Sequence, residues 1–577
     1  MSLYPVVPGG DGVFAENGLM VAVRLADVAS PLRGGRLPGA GEEPALVIGG
    51  TERIRAGEPV VFCKVVAVAP AVVRRDGRVQ AAGSPAACAT LGPLEEWLDH
   101  WAGPGVIDQV AERAVLGARF VKGERERLLT SAFMIRAIVL MTLAPDAGLR
   151  EAVTALAGDL ALVPWARPWR AASDRALGDW RNALGPGPLE ELQAVVLEAS
   201  RREHEERGWR EAACGDLTAC SLDGTLIPVP DTPANRAAFG SVGTSDNSGP
   251  FPQVRALPLN NVPTRALLGM VHGPSGGGAG KAAGEQKLLD EAMERYPHLF
   301  GKGRLRIADR NFPGAARLAR LIARTRVLIR LKSDIPLRQA SPVLAGGSYM
   351  ADLSGDGLTL RVRVIEYDVH VEGQVVPEMF CLVTDLIDID RYPAVLLAGL
   401  CKWRRDGSET ALREARASLD GAGPGTGPVL RSQLPALVCQ ELAAWATGTE
   451  MTRGVARDAA ATASPARKGR RAGQPVRPRE ISRSRARRAV IAAIRATRAR
   501  YHALTSEIAR HRVIVDRNRH RARKSKSPSS FDHATAKDTR TRTTPAVITM
   551  ANTPAPPDQH QQAATQSNQI GEPDNDA

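Results

Sequence analysis

The chain has 577 residues, 44% of them hydrophobic and 24% charged, with a formal net charge of +14. These fractions exclude a fibrous or wholly disordered protein, and the length predicts several domains. Seven cysteines without metal spacing, no signal-peptide pattern and no apolar run long enough to span a bilayer predict a soluble cytoplasmic protein with reduced thiols.

Residues 1–90 hold short apolar runs (Leu19–Leu25, Pro59–Val73) between Gly/Pro-rich turns, a modest β signal without a chemical motif. Residues 91–205 change to a helical period. Glu124–Leu143, Leu149–Leu160, Arg170–Leu184 and Pro188–Arg202 place apolar residues at three- and four-residue steps, punctuated by Pro145, Pro164 and Pro186. This pattern suits a DNA-reading helical domain of helix-turn-helix type, or equally a plain bundle.

From residue 206 strands and helices alternate. Strands are expected at Ala219–Val229, Gln253–Leu259, Ala266–Val271, Arg304–Ala308 and Arg326–Leu331. Helices are expected at Gly284–Tyr296, Gly314–Arg324 and within Cys401–Leu419. The pattern predicts an α/β domain with a mixed sheet over residues 206–340 and 385–450, interrupted by a β insertion at 341–384. A basic arm follows at 451–530. Between Arg467 and Lys526 it holds 21 Lys and Arg against three acids, which leaves the first 466 residues close to neutral. Arg485, Arg487 and Arg488 lie in its Arg-x-Arg stretch, which has part-helical patterning over Arg485–Ala503, and such a segment either neutralises phosphates or serves as a solvated tail. Residues 531–577, rich in Pro, Gln, Asn and Thr, are expected to be disordered.

One glycine-rich segment, Gly273–Lys281, looks like a phosphate loop. It carries Ser275 and Ala282 where a glycine and a magnesium-holding hydroxyl are required, so the mechanism fails. Two aspartates remain. Asp223 lies inside an apolar strand, where a carboxylate needs a cation or hydrogen-bond donors, unless Asp223-Gly224 makes a hairpin turn. Asp309 follows Arg304–Ala308, at the carboxyl end of a strand where ligands bind, or else caps the next helix. Two such carboxylates on neighbouring strands could share magnesium, a hard cation that leaves room for substrate phosphates.

The segments Asp223-Gly224-Thr225, Val229–Asn235, Pro252–Arg255 and Ala308–Phe312 resemble the DDE transposases of bacterial insertion sequences, in particular the insertion-sequence-four family. The resemblance runs from about Leu91 to Ser530. It implies a ribonuclease-H-like catalytic fold, cut-and-paste DNA transposition and a third carboxylate in a Tyr-x2-Arg-x3-Glu-x6-Lys signature. That frame falls on Lys402, Arg405, Glu409 and Arg416, so arginine and glutamate match while the tyrosine is lysine and the last lysine is arginine. Asn311 also stands where glycine is usual.

The resemblance therefore implies Asp223, Asp309 and Glu409 as catalytic ligands of two Mg2+ (or Mn2+) ions. It implies contacts from Arg310, Lys402, Arg405 and Arg416 to DNA, and a homodimer that pairs two element ends. Asp406-Gly407-Ser408-Glu409 also reads as a helix capping box, with Glu414 the alternative acid. The departures from the signature leave two other functions open: a decayed or domesticated DNA-binding protein, and a related metal-dependent nuclease.

Overall fold

The computed structural model describes residues 90–114, 130–144, 148–157, 172–209, 212–214, 216–241, 251–276, 284–309, 314–331, 335–355, 357–371, 378–404, 412, 430–465, 473–496 and 501–512, together with strands at 14–15, 18–24, 60–64, 72–73, 79–80, 519–520 and 544–550. Two of the early strands, Gly18–Arg24 and Val60–Lys64, pair antiparallel within the apolar runs expected there.

The first described helices are α1 (Pro93–Ala102), α2 (Val106–Arg113), α3 (Ser131–Leu143), α4 (Leu149–Ala157), α5 (Asp174–Leu184) and α6 (Gly187–Glu206). Thr130 and Ser173 cap α3 and α5 by accepting the backbone N–H of Phe133 and Ala176. Helix α3 is apolar almost all round, and all its residues after Ser131 are buried. A helix of that kind needs neighbours on every side. The chain supplies one from far away, the 28-residue helix Pro435–Thr462, here α11, which packs on α6, α3 and α1.

The sheet is built from β1 (Leu217–Leu222), β2 (Thr225–Pro228), β3 (Gln253–Asn261), β4 (Leu267–Pro274), β5 (Arg304–Ala308), β6 (Arg326–Arg330), β7 (Leu337–Gln339), β8 (Ser348–Gly355), β9 (Leu358–Val371) and β10 (Glu378–Thr384). Its order is β4-β3-β1-β5-β6-β10-β9-β8-β7, with β1, β5 and β6 parallel and the other neighbours along this path antiparallel. The molecule is therefore a mixed α/β structure. The β segment expected as an insertion is continuous with the sheet in space: β10 pairs directly with β6, whose edge would otherwise stay open.

Helices cover both faces. On one, α8 (Glu285–Arg295) and α9 (Ala315–Arg324) bury Leu289, Ala292, Leu318 and Leu321 against Leu222, Leu257, Ala308 and Val327. The other face is divided. Its lower part meets α10 (Ala394–Arg404) through Leu397, Ala398 and Leu400, packed on Leu217, Ala219, Leu305 and Ile307. Its upper part meets α11 and the short α7 (Pro233–Phe239) through Val438, Leu442, Trp445 and Phe239, packed on Ile227, Val254 and Ala256.

Two expectations are corrected. The segment expected as a free basic arm is in large part folded: α11 runs through the anticipated boundary at residue 450, and α12 (Arg483–Ala496) and α13 (Tyr501–Arg510) bury Ala486, Val490, Ile494, Leu504 and Ile508 in the helical core. The helical patterning over Arg485–Ala503 is borne out, and its apolar positions pack into the core rather than lying along a solvated arm. The tail is not wholly without structure either. Thr544–Met550 (β11) pairs antiparallel with the end of β9, beyond the point where β8 stops, and Ile548 and Met550 pack on the sheet core. The β-branched run Val547-Ile548-Thr549 is what the composition of the whole tail concealed.

Among the described residues no helix is long and apolar enough to cross a membrane.

Candidate active site

The pairing of β3 decides how Asp223 is placed. Cys220, Ser221 and Leu222 of β1 oppose Asn261, Asn260 and Leu259, and Thr225 to Pro228 of β2 oppose Ala256 to Gln253. The register is unbroken, so β1 and β2 are one strand running through Asp223-Gly224, and the hairpin-turn alternative is excluded. Parallel β5 lies on the other side, with Leu305 to Ala308 beside Ala219 to Leu222. The next rung sets Asp309 directly beside Asp223. Neighbouring strands lie about 5 Å apart, so the two carboxyl groups leave the backbone at the same level.

Side-chain alternation fixes their direction. Leu217 and Ala219, like Leu305 and Ile307, face α10, while Leu222 and Ala308 face α8 and α9. Asp223 and Asp309 therefore project to the α10 side, at the seam between the two clusters on that face. Both are half-buried and both make polar interactions in the folded chain. Two carboxylates on adjacent rungs repel each other, and a divalent cation between them offsets that repulsion. The donor set is hard oxygen, which fits Mg2+ or Mn2+. Among the described residues no group of three or more His, Cys, Asp or Glu is placed to hold a metal, so the described residues supply two carboxylates of the three expected.

Glu409 lies outside the described residues, as do Arg310, Arg405, Arg416 and the alternative Glu414. Lys402 lies in the last turn of α10, whose side chains there are not described. Helix α10 itself packs on the face to which both aspartates project. Of the helix expected within Cys401–Leu419, the described residues show the end of α10 (Ala394–Arg404) and Leu412, which is helical and buried; the remainder lies outside the described residues.

Behind Asp223 stands a pair of residues whose roles the sequence left unread. Arg255 of β3 donates from Nη1 to Oε1 of Glu285 at 3.2 Å, and both side chains are largely buried. Glu285 opens α8 and presses on Gly224, where any Cβ would collide with its carboxylate. Gly224 is therefore the residue that lets α8 approach the strand beside Asp223. No local pattern carries this contact, because 61 residues separate its members.

Arg485 and Arg488 are exposed on α12, and Arg487 is half-buried. A cleft of about 490 Å³ lined by Arg150, Asp174, Arg181 and Arg431 lies between α4, α5 and the start of α11, and neither aspartate lines it.

Residues 100–194 match the family model described as the insertion element 4 transposase N-terminal region. Over this stretch the chain is similar to the insertion element 4 transposases. The matched stretch includes most of the helices α1–α6 that enclose α11. No curated protein matches the chain in sequence. Among solved structures, a piggyBac transposase synaptic complex with hairpin DNA aligns over 73% of this chain and 81% of that one, at 12% identity and a TM-score of 0.37.

Proposed function

We propose that this chain is a transposase of the DDE type, with a ribonuclease-H-like sheet in which Asp223 and Asp309 form one divalent-cation site completed by Glu409. The observation that carries the reading is the parallel pairing of β1 with β5, whose register, continued by one residue, sets Asp309 beside Asp223. The strand order, three antiparallel strands followed by two parallel ones joined through helices, supports it. The packing of α10 on the aspartate face supports Glu409 as the third acid, since the chain leaves that helix five residues before it.

When bound, Mg2+ or Mn2+ would lower the pKa of an attacking water and steady the leaving oxygen of a phosphodiester. The protein's own part is positional. The adjacent rungs hold two carboxylate oxygens at a fixed spacing, and the Arg255–Glu285 pair supports the strand from behind. Hydrolysis breaks the bond from phosphorus to the 3′ oxygen at the element end, leaving a 3′-hydroxyl and a 5′-phosphate. That hydroxyl then attacks a phosphodiester of target DNA, so one bond forms as one breaks. Arg310, Lys402, Arg405 and Arg416 would contact the DNA backbone near this site. Two copies of the chain would hold the two ends, and the protein would act in the cytoplasm on nucleoid DNA.

The test uses the full chain with duplexes carrying the inverted repeats that flank its reading frame. Mg2+- or Mn2+-dependent cleavage at the repeat end is expected, lost in Asp223→Asn and Asp309→Asn while DNA binding persists. Cleavage that survives either substitution contradicts the assignment. Binding without any metal-dependent cleavage would favour a DNA-binding protein.

A further inference from the structure

Helix α12 has two faces of opposite character. Ala486, Val490, Ala493 and Ile494 are buried in the helical core. Ser484, Arg485, Arg488, Ala492 and Arg495 are exposed, and their positions fall within about 100° of arc at the helical repeat. The helix contains five arginines and no acid. Arg485, Arg488 and Arg495 form no ion pair with another described residue. Elsewhere in the helical half exposed arginines commonly have acidic partners, as Arg113 has Glu191 and Arg510 has Glu507. Three guanidiniums on one stripe, with small alanine between them, have no compensating acid among the described residues.

The stripe is also held rigidly. Arg483, at the start of the helix and buried, donates to the carbonyls of Arg453 at 3.2 Å, Thr264 at 3.1 Å and Pro478 at 2.9 Å. It thereby ties α12 to α11 and to the β3–β4 turn at once. That turn follows Asn261, which opposes Cys220, while Asp223 lies three residues further along the same strand. The anchor is thus displaced from the aspartates toward the other end of the strand, and the stripe is a surface separate from the aspartate site.

We propose that the Arg485–Arg488–Arg495 face of α12 is a preformed docking surface for the phosphate backbone of duplex DNA, engaged without base readout. The ten steps from Arg485 to Arg495 rise about 15 Å, enough to lie along about four phosphates of one strand at 3.4 Å each. A surface presented by a packed helix orders few groups on binding, unlike a flexible arm. The proposal rests on the reading of the chain as a DNA-acting protein. It is independent of the aspartates, so its test omits metal.

The experiment measures binding of the full chain to a duplex of unrelated sequence, in EDTA, over a series of salt concentrations. Each phosphate contact contributes about 0.9 to the slope of log K against log salt. The triple variant Arg485→Gln, Arg488→Gln, Arg495→Gln is expected to lower the slope by about 2.7, with an unchanged melting temperature. The triple Arg→Lys variant should keep the parental slope. A control that removes three exposed arginines from the sheet half, Arg295→Gln, Arg324→Gln and Arg338→Gln, should change it by less than about one. An unchanged slope in the folded α12 variant, or an equal fall in the control, overturns the proposal. Loss of metal-dependent cleavage in Asp223→Asn, with the slope intact, would separate this surface from the active site.

Discussion

The helical half and the sheet half of this molecule use charge in opposite ways. At the centre of the helical half charges are buried and paired with one another. Arg457 of α11 donates from Nε and Nη2 to Glu203 of α6 and from Nη1 to Glu450, with all three side chains fully buried. Glu450 also accepts from Ser200 Oγ at 2.7 Å and from the backbone N–H of Leu267, the first residue of β4, at 2.6 Å. In the sheet half the two decisive acids stand half-buried, side by side on neighbouring strands. Buried charge of the first kind fixes the orientation of packed elements, whereas acids of the second kind raise the local need for a cation. The distinction predicts which substitutions cost stability and which cost function.

The largest effect should come from Arg457. Replacing it with Met strands two buried carboxylates and should destabilise the fold by about 3–5 kcal/mol, read as a fall in the urea midpoint. A loss below about 1 kcal/mol would mean that the network does not hold α11 to α6. Next comes Gly454, on the same helix, where a Cβ would run into the indole of Trp97. Gly454→Ala should cost about 1–3 kcal/mol despite alanine's better helix propensity.

A third test uses pH. His204 lies against Ser200 O at 2.7 Å and Thr264 Oγ1 at 2.6 Å. Removal from water, reinforced by the Arg457 cation, pushes its pKa down to about 3. The unfolded chain binds this proton near pH 6.5 and the folded chain does not, so stability is full above that value and declines as pH falls toward 3. Between pH 6.5 and 5 the wild type should lose about 2 kcal/mol more than His204→Asn. Identical pH profiles would remove His204 from the account. The smallest stability effect belongs to the sheet half: without metal, Asp223→Asn should shift the urea midpoint by an equivalent of no more than about 0.5 kcal/mol, because it relieves repulsion from Asp309. A shift comparable with that of Arg457→Met would make Asp223 structural and erase the contrast.

How much the sequence disclosed follows the same division. The five strands carrying or flanking the aspartates are apolar runs bounded by turn residues, and their placement is legible because local pattern and tertiary role agree. The adjacency of Asp223 and Asp309 required the order of the strands, which spacing along the chain does not contain. The central role of α11 was hidden because its period is blurred: a helix buried on nearly all sides reads as uniformly apolar or small, and Glu450, Arg453 and Arg457 look like surface residues until their partners are known. The helical pattern of α12 was legible, but its docking in the core depends on partners remote in sequence, and the Glu285–Gly224 contact likewise joins residues far apart in the chain.

The central claim is that Asp223 and Asp309 act as one cation site. Titration of the full-length protein with Mn2+, followed by the loss of the free-ion electron paramagnetic resonance signal, tests it most directly. The account predicts specific binding in the wild type that weakens at least about tenfold, or about 1.4 kcal/mol, in Asp223→Asn and in Asp309→Asn alike, with no further loss when the two are combined. Wild-type affinity in either single variant would contradict it.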